Sequence, residues 1–242
     1  MDQMDQMQFE AIPVNGDGFR PLPCGDYRGV DLGSAPLWLT AKAGEWELYI
    51  FERGTKFPDN SVFMGDIKFP DQCSFGEGCQ FNGSFQFGRY CTFGNRAHFS
   101  GGLGVKSEFD AHCSFGADGY FRNCVFGEYA EFGGKSEFIF CEFGENVEFG
   151  RNPSFGVTPP SFGGKRACSR APVMSLEGVA GGYPVTAYLL EDGPVFRHGI
   201  NFLGNREEFQ KYAARQLGVT EMLTMFTKMV DKRWAAALKR AA

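Results

Sequence analysis

Phenylalanine recurs every six residues along the middle of the chain, at Phe57, Phe63, Phe69, Phe75, Phe81, Phe87, Phe93 and Phe99, without a miss. Val105 extends the series by one step. A four-residue step then leads to a second series: Phe109, Phe115, Phe121, Phe126, Phe132, Phe138, Phe143, Phe149 and Phe155, with steps of six, six, five, repeated. Seventeen of the 27 phenylalanines lie on this lattice. A period this short and regular calls for one small unit stacked on itself, so an ordinary layered domain is excluded over this stretch.

The neighbours of each Phe repeat as well. Two positions earlier stands a small residue: Cys73, Cys79, Cys91, Ala97, Ser107, Cys113, Gly119, Cys124, Ala130, Ser136 or Cys141. One position later stands Gly in nine of the seventeen cases. Residues two apart share one face of a strand, so the Phe and its small partner both point inward. Glycine after the Phe suits a corner, through positive φ or close backbone approach. The remaining positions carry charged and amide groups, as an outer surface requires. A short strand and a corner every six residues describe a three-sided parallel β-helix, with coils of 18 residues in the first series and 17 in the second. Nine sides per series give three coils each, about six in all, or roughly 29 Å at the inter-strand spacing. The stretch Ser100 to Lys106 marks the join between the two series.

Residues 55–156, with their small-x-Phe-Gly unit, resemble the hexapeptide-repeat proteins that form left-handed parallel β-helices. That family places an aliphatic residue where this chain places Phe. The five-residue steps are also similar to pentapeptide-repeat solenoids, which are right-handed and four-sided, while the strict six-residue run favours three sides. In style, the Cys-x-Phe-Gly repeats resemble hypothetical proteins of phages and prophages.

Around the solenoid, the sequence divides into residues 1–54, an N-terminal segment with a β-hairpin cap at 36–52; a linker at 157–181 with Pro159-Pro160 and Gly163-Gly164; and a small α+β module at 182–242. The hairpin would turn at Ala43-Gly44. In the module, Gly182 to Leu190 and Val195 to Leu203 read as strands around Glu191-Asp192-Gly193-Pro194. Asn205 caps a helix to about Leu217, ended by Gly218, and Thr220 caps a second at 221–240, with Leu223, Phe226, Met229, Val230, Trp234 and Leu238 on its inner stripe. The fold class expected is therefore mainly β, a β-helix with an N-terminal cap and a C-terminal module that caps the solenoid, docks a partner or forms a homo-oligomer.

The net charge of −5 argues against a general nucleic-acid binder and divides as −4 for residues 1–56, −6 for 57–156 and +5 for 157–242. Glu128, Glu131, Glu137, Glu142, Glu145 and Glu148 crowd the last coils. The 17-residue spacing stacks Glu128 over Glu145 and Glu131 over Glu148. They form a candidate acidic interaction face that mimics nucleic acid or meets a basic partner, at some cost in repulsion. Lys228, Lys232, Arg233, Lys239 and Arg240 form a candidate basic tail. Of the eight Cys, six (Cys73, Cys79, Cys91, Cys113, Cys124 and Cys141) take the inward small position, as compact apolar fillers, which suits a reducing compartment; Cys24 and Cys168 lie off the lattice. The only histidines are His98, His112 and His198, too scattered to assemble a zinc site. No phosphate-loop, serine-hydrolase or zincin motif occurs, and no cofactor, metal or catalytic residue is assigned. With no apolar run long enough for a membrane span and no signal peptide, the expected location is the cytoplasm.

The leading expectation is a non-enzymatic solenoid that binds a host macromolecule, in the manner of a phage effector or inhibitor. Against it stand two others. One is an acyltransferase that uses His98 or His112 as base, the activity the hexapeptide resemblance implies. The other is a structural virion or scaffold subunit.

Overall fold

Seven in-register rungs of one face run through the N-terminal unit: Leu22, Leu39, Phe63, Phe81, Phe99, Phe121 and Phe138. These rungs belong to a computed structural model of the chain. It describes residues 3–41, 49–101, 106–156, 160–162, 164–167, 172–176, 185–198, 202–217 and 221–241. The chain divides into two units, Met1–Ser154 and Phe155–Ala242.

The first unit is a parallel β-solenoid of about seven turns. Its first face stacks Phe57, Phe75, Phe93, Phe115, Phe132 and Phe149. The second is the face above, and the third stacks Phe69, Phe87, Phe109, Phe126 and Phe143. Rings on one face lie nearly parallel, as with Phe57 on Phe75 at 4.7 Å and Phe81 on Phe99 at 4.3 Å. Rings on different faces meet edge to face, as with Phe63 and Phe75 at 5.6 Å and 83°. Both are favoured arrangements of aromatic quadrupoles, so three columns dominated by one residue type fill a triangular core, with small residues such as Cys79, Ser107 and Ser136 buried beside them.

Three expectations change here. First, Leu37–Thr40 and Tyr49–Ile50 do not form a hairpin: the former pairs in parallel with Arg20–Leu22 and Val62–Phe69, the latter in parallel with Gly25–Asp26. Leu22 and Leu39 extend the second face, and Tyr27 and Phe51 stack beneath Phe69. The N-terminal segment is thus further solenoid, in which Leu and Tyr replace Phe. The expected turn at Ala43-Gly44 lies outside the described residues. A short helix, Gln6–Glu10, buries Phe9.

Second, the two series form one lattice. Phe109 is in register with Phe87, so it fills the side expected for Val105, which lies outside the described residues. Coil length is 18, 18, 22, 17 and 17 residues along the first face, with the four extra residues at the join.

Third, of the two uses expected for the glycine after Phe, close backbone approach holds and positive φ falls to another residue. All twelve described non-Gly residues of positive φ stand three before a lattice Phe, from Asn60 at 58° to Asn152 at 57°. The glycines after Phe serve close approach instead: a Cβ on Gly94 would lie 2.7 Å from the Glu77 nitrogen on the previous coil. A five-residue side is one in which the residue two after the Phe is dropped while the left-handed corner residue, Asn123 or Phe140, is kept. On the first coils the passage from second to third face is different. Val62–Phe69 and Gln80–Phe87 run through it as continuous strands. Gly65 and Gly83 make the bend, where any Cβ would collide with the carbonyls of Ala41 and Gly65. Bulky Ile67 and Phe85 fill the inward position there.

The second unit is an antiparallel sheet of Val173–Leu176, Val185–Leu190, Gly193–His198 and Phe202–Asn205, with helices Arg206–Tyr212, continued by a π turn to Leu217, and Glu221–Ala241. The expected linker 157–181 therefore carries strands, among them Val173–Leu176, whose short apolar run is masked by the Pro and Gly around it. Asn205 caps as expected: its side chain accepts from the Glu208 nitrogen at 3.1 Å while Glu208 Oε2 accepts from the Asn205 nitrogen at 2.8 Å. Gly218 and Thr220 lie outside the described residues. The core joins Val185, Leu189, Phe196, Phe209, Leu223, Phe226 and Val230. Met229, expected on this stripe, is 50% exposed beside exposed Met222 and Met225, because one sheet covers only one side of the helix.

Candidate interaction surface

The residue before each Phe points outward, so each face carries one outer column. On the first face it reads Lys56, Ser74, Thr92, Ser114, Glu131 and Glu148. Thr92 and Ser74 hydroxyls hydrogen-bond at 3.1 Å. Glu131 and Glu148 are direct neighbours across one rung. The corner that leads into this face adds Glu128 and Glu145, and it is fixed by the backbone: the Tyr129 nitrogen donates to the Glu145 carbonyl at 2.9 Å, and the His112 nitrogen to the Glu128 carbonyl at 2.9 Å. Glu128, Glu131 and Glu145 are exposed and Glu148 is half-buried. At one rung apart in water, two carboxylates repel by about 1 kcal/mol or less, which solvation at an exposed corner accommodates.

The six glutamates expected on one face do not share one. Glu137 stands on the second face, in register with Tyr120. Glu142 stands on the third, bound to Lys106 Nζ at 2.6 Å. The six- and five-residue steps send successive glutamates to successive faces, and only those 17 apart stack. The acidic surface is therefore the corner of Glu128, Glu131, Glu145 and Glu148.

The same corner holds a ring ladder. Tyr90, His112 and Tyr129 stack face to face at 4.8 Å, at interplanar angles of 7° and 5°. All three occupy the left-handed corner position, with φ of 59°, 62° and 57°. The signal was present: each stands three before a lattice Phe of the first face.

The other histidines are placed apart. His98 stacks on Tyr120 at 4.7 Å on the second face, and burial lowers its pKa below the usual imidazole value. His198 is buried in the second unit against the Tyr212 hydroxyl at 2.8 Å. A trough of about 540 Å3 on the third face is lined by Lys68, Asp71, Gln86, Glu108, Asp110 and Val125, among others, and neither His98 nor His112 lines it. Among the described residues no group of three or more His, Cys, Asp or Glu could hold a metal ion.

Cys73, Cys79, Cys91, Cys113, Cys124 and Cys141 are buried and free, as their inward position implies; Cys24 is exposed, and Cys168 lies outside the described residues. Cys73, Cys91 and Cys113 occupy successive rungs of the first face. Hydrogen bonding to Cys91 and burial push the thiols of Cys73 and Cys113 up. Burial, with the Asp59 carboxylate adding to it, pushes Cys79 up to about 12.

In the second unit, Lys228, Lys232, Arg233 and Lys239 are exposed along Glu221–Ala241, and Arg240 lies on the same helix. Among the described residues no helix is long and apolar enough to cross a membrane. The chain matches no known family model, no curated protein and no solved structure.

Proposed function

We propose that this protein is a non-enzymatic β-solenoid that binds a macromolecule with a basic surface through the corner formed by Glu128, Glu131, Glu145 and Glu148. The observation that carries the reading is the in-register stacking of Glu131 on Glu148, beside exposed Glu128 and Glu145, on a backbone that adjacent coils hold rigid. Fixed, regularly spaced carboxylates offer a cationic surface what a nucleic-acid backbone offers it, and they lose no conformational freedom in the backbone on binding. The partner is a host protein complex and the protein a phage-type effector or inhibitor; support for that part is the likeness in style of the Cys-x-Phe-Gly repeats to proteins of phages and prophages. Six buried free thiols favour a reducing compartment and hence the cytoplasm.

Affinity capture with the wild-type chain and with the Glu128→Gln/Glu131→Gln/Glu145→Gln/Glu148→Gln variant tests the proposal. A stoichiometric protein retained by the wild type, released by about 0.5 M salt or by duplex DNA, and lost on the variant is expected. Equal retention by both, or indifference to salt and DNA, would overturn it.

A further inference from the structure

Large aromatic residues in the left-handed region are uncommon, because that region suits Gly and Asn. At this corner the outermost described rungs follow the rule, Asn146 with φ of 58° and Gly54 with 83°, while Gln72, at 61°, stands between Gly54 and the rings. Between them, Tyr90, His112 and Tyr129 hold their rings in the strained position and still leave Tyr90 49% and Tyr129 40% exposed. A demand for corner geometry alone would be met better by Asn. Strained, exposed rings side by side point to recognition.

Tyr129 lies between Glu128 and Glu131 in the chain, so the ladder ends inside the acidic corner. Tyr90 and Tyr129 are the ends of the ladder, with Gln72 and Asn146 on the rungs beyond, so each turns one ring face away from His112. A planar cation that can stack on a ring while it donates paired hydrogen bonds to a carboxylate matches this arrangement. Guanidinium does both, whereas ammonium is a compact point charge. The corner already holds one such group, since Arg89, adjacent to Tyr90, has its Nε 3.4 Å from Asp110 Oδ2.

We infer that the Tyr90–His112–Tyr129 ladder makes the acidic corner selective for arginine over lysine, so that the partner's contact segment is an arginine-bearing peptide segment of a protein. This rests on the proposed acidic binding corner and specifies its partner.

The probes are fluorescent deca-arginine and deca-lysine peptides, titrated into the full chain at moderate salt. The wild type is expected to bind deca-arginine about fivefold more tightly than deca-lysine. The Tyr90→Asn/His112→Asn/Tyr129→Asn variant, whose asparagines suit the left-handed corner, is expected to keep the deca-lysine affinity and lose the preference. The single Tyr129→Asn variant provides the same readout with the smallest perturbation of the fold. An unchanged preference in these variants, or no preference in the wild type, would overturn the inference. It would leave the acidic corner standing if the four Glu→Gln changes still abolished both titrations. If those changes left both peptides bound as before, the acidic corner itself would fail.

Discussion

Phe81 shows what each lattice residue contributes. It is fully buried, with Phe63 at 4.7 Å on one side and Phe99 at 4.3 Å on the other, and it meets Phe75 and Phe87 edge to face. Burial of such a side chain stabilises by about 1.5–3 kcal/mol, and the ring pairs add to it. Because neighbouring rings are held by their own coils, the space left by a truncation cannot close. Phe81→Ala is expected to cost about 3–5 kcal/mol, read as a lowered urea midpoint. A change under about 1 kcal/mol would show that the column is not close-packed. This inward role was legible directly from the six-residue period. The left-handed role of the residue three before each Phe was not, since Asn, Tyr, His, Lys and Phe all fill it and no single side-chain chemistry marks it.

At the scale of the coil, the decisive contact is backbone against backbone. The Gly94 nitrogen donates to the Phe75 carbonyl at 2.9 Å, and a Cβ there would press on Glu77. Gly94→Ala must therefore spread two coils and is expected to cost about 1–3 kcal/mol by chemical denaturation. Gly54→Ala, with open space around it and φ of 83°, serves as the control and costs only the left-handed strain, about 1–2 kcal/mol. A Gly94 variant as stable as the wild type would contradict the close approach. The sequence pattern offered either close approach or positive φ for these glycines, and nothing in a one-dimensional pattern separates the two. The N-terminal rungs were hidden for a related reason: Leu22, Leu39 and Tyr27 do the work of Phe without its period, so they read as an irregular segment and a hairpin. In the second unit, local signals sufficed where they were chemical, as in the Asn205 capping box, and failed where the pattern was ambiguous, as at Met229.

In the first unit, two buried groups, Cys79 and Tyr49, shift in the same sense. Burial pushes Cys79 and Tyr49 each up to about 12, from ordinary values of 9.0 and 10.0. Tyr49 also donates its hydroxyl proton to the Leu22 carbonyl, at 3.1 Å. Both groups are neutral when protonated, so the folded chain holds these protons more tightly than the unfolded chain. Their contribution to stability is complete below pH 9 and is lost as the pH climbs towards 12. The urea midpoint is expected to be level from pH 7 to 8.5 and to fall steadily from about pH 9.5 to 11. A midpoint that holds or rises over that range would contradict the buried placement.

Legibility also differs between architecture and site at this scale. The solenoid was written in a period, but the interaction surface depends on which face each step reaches. Glu131 and Glu148 are 17 apart and stack, whereas Glu137 and Glu142 turn to other faces. That difference supplies the most direct test of the binding account. Carboxylates of the free protein and of its complex with the captured partner are labelled with a carbodiimide and an amine, and the modified peptides are quantified by mass spectrometry. Glu128, Glu131, Glu145 and Glu148 are expected to lose most of their labelling in the complex, with Glu137 unchanged as the internal reference. Uniform protection, or protection of Glu137 with the four corner glutamates still open, would contradict it.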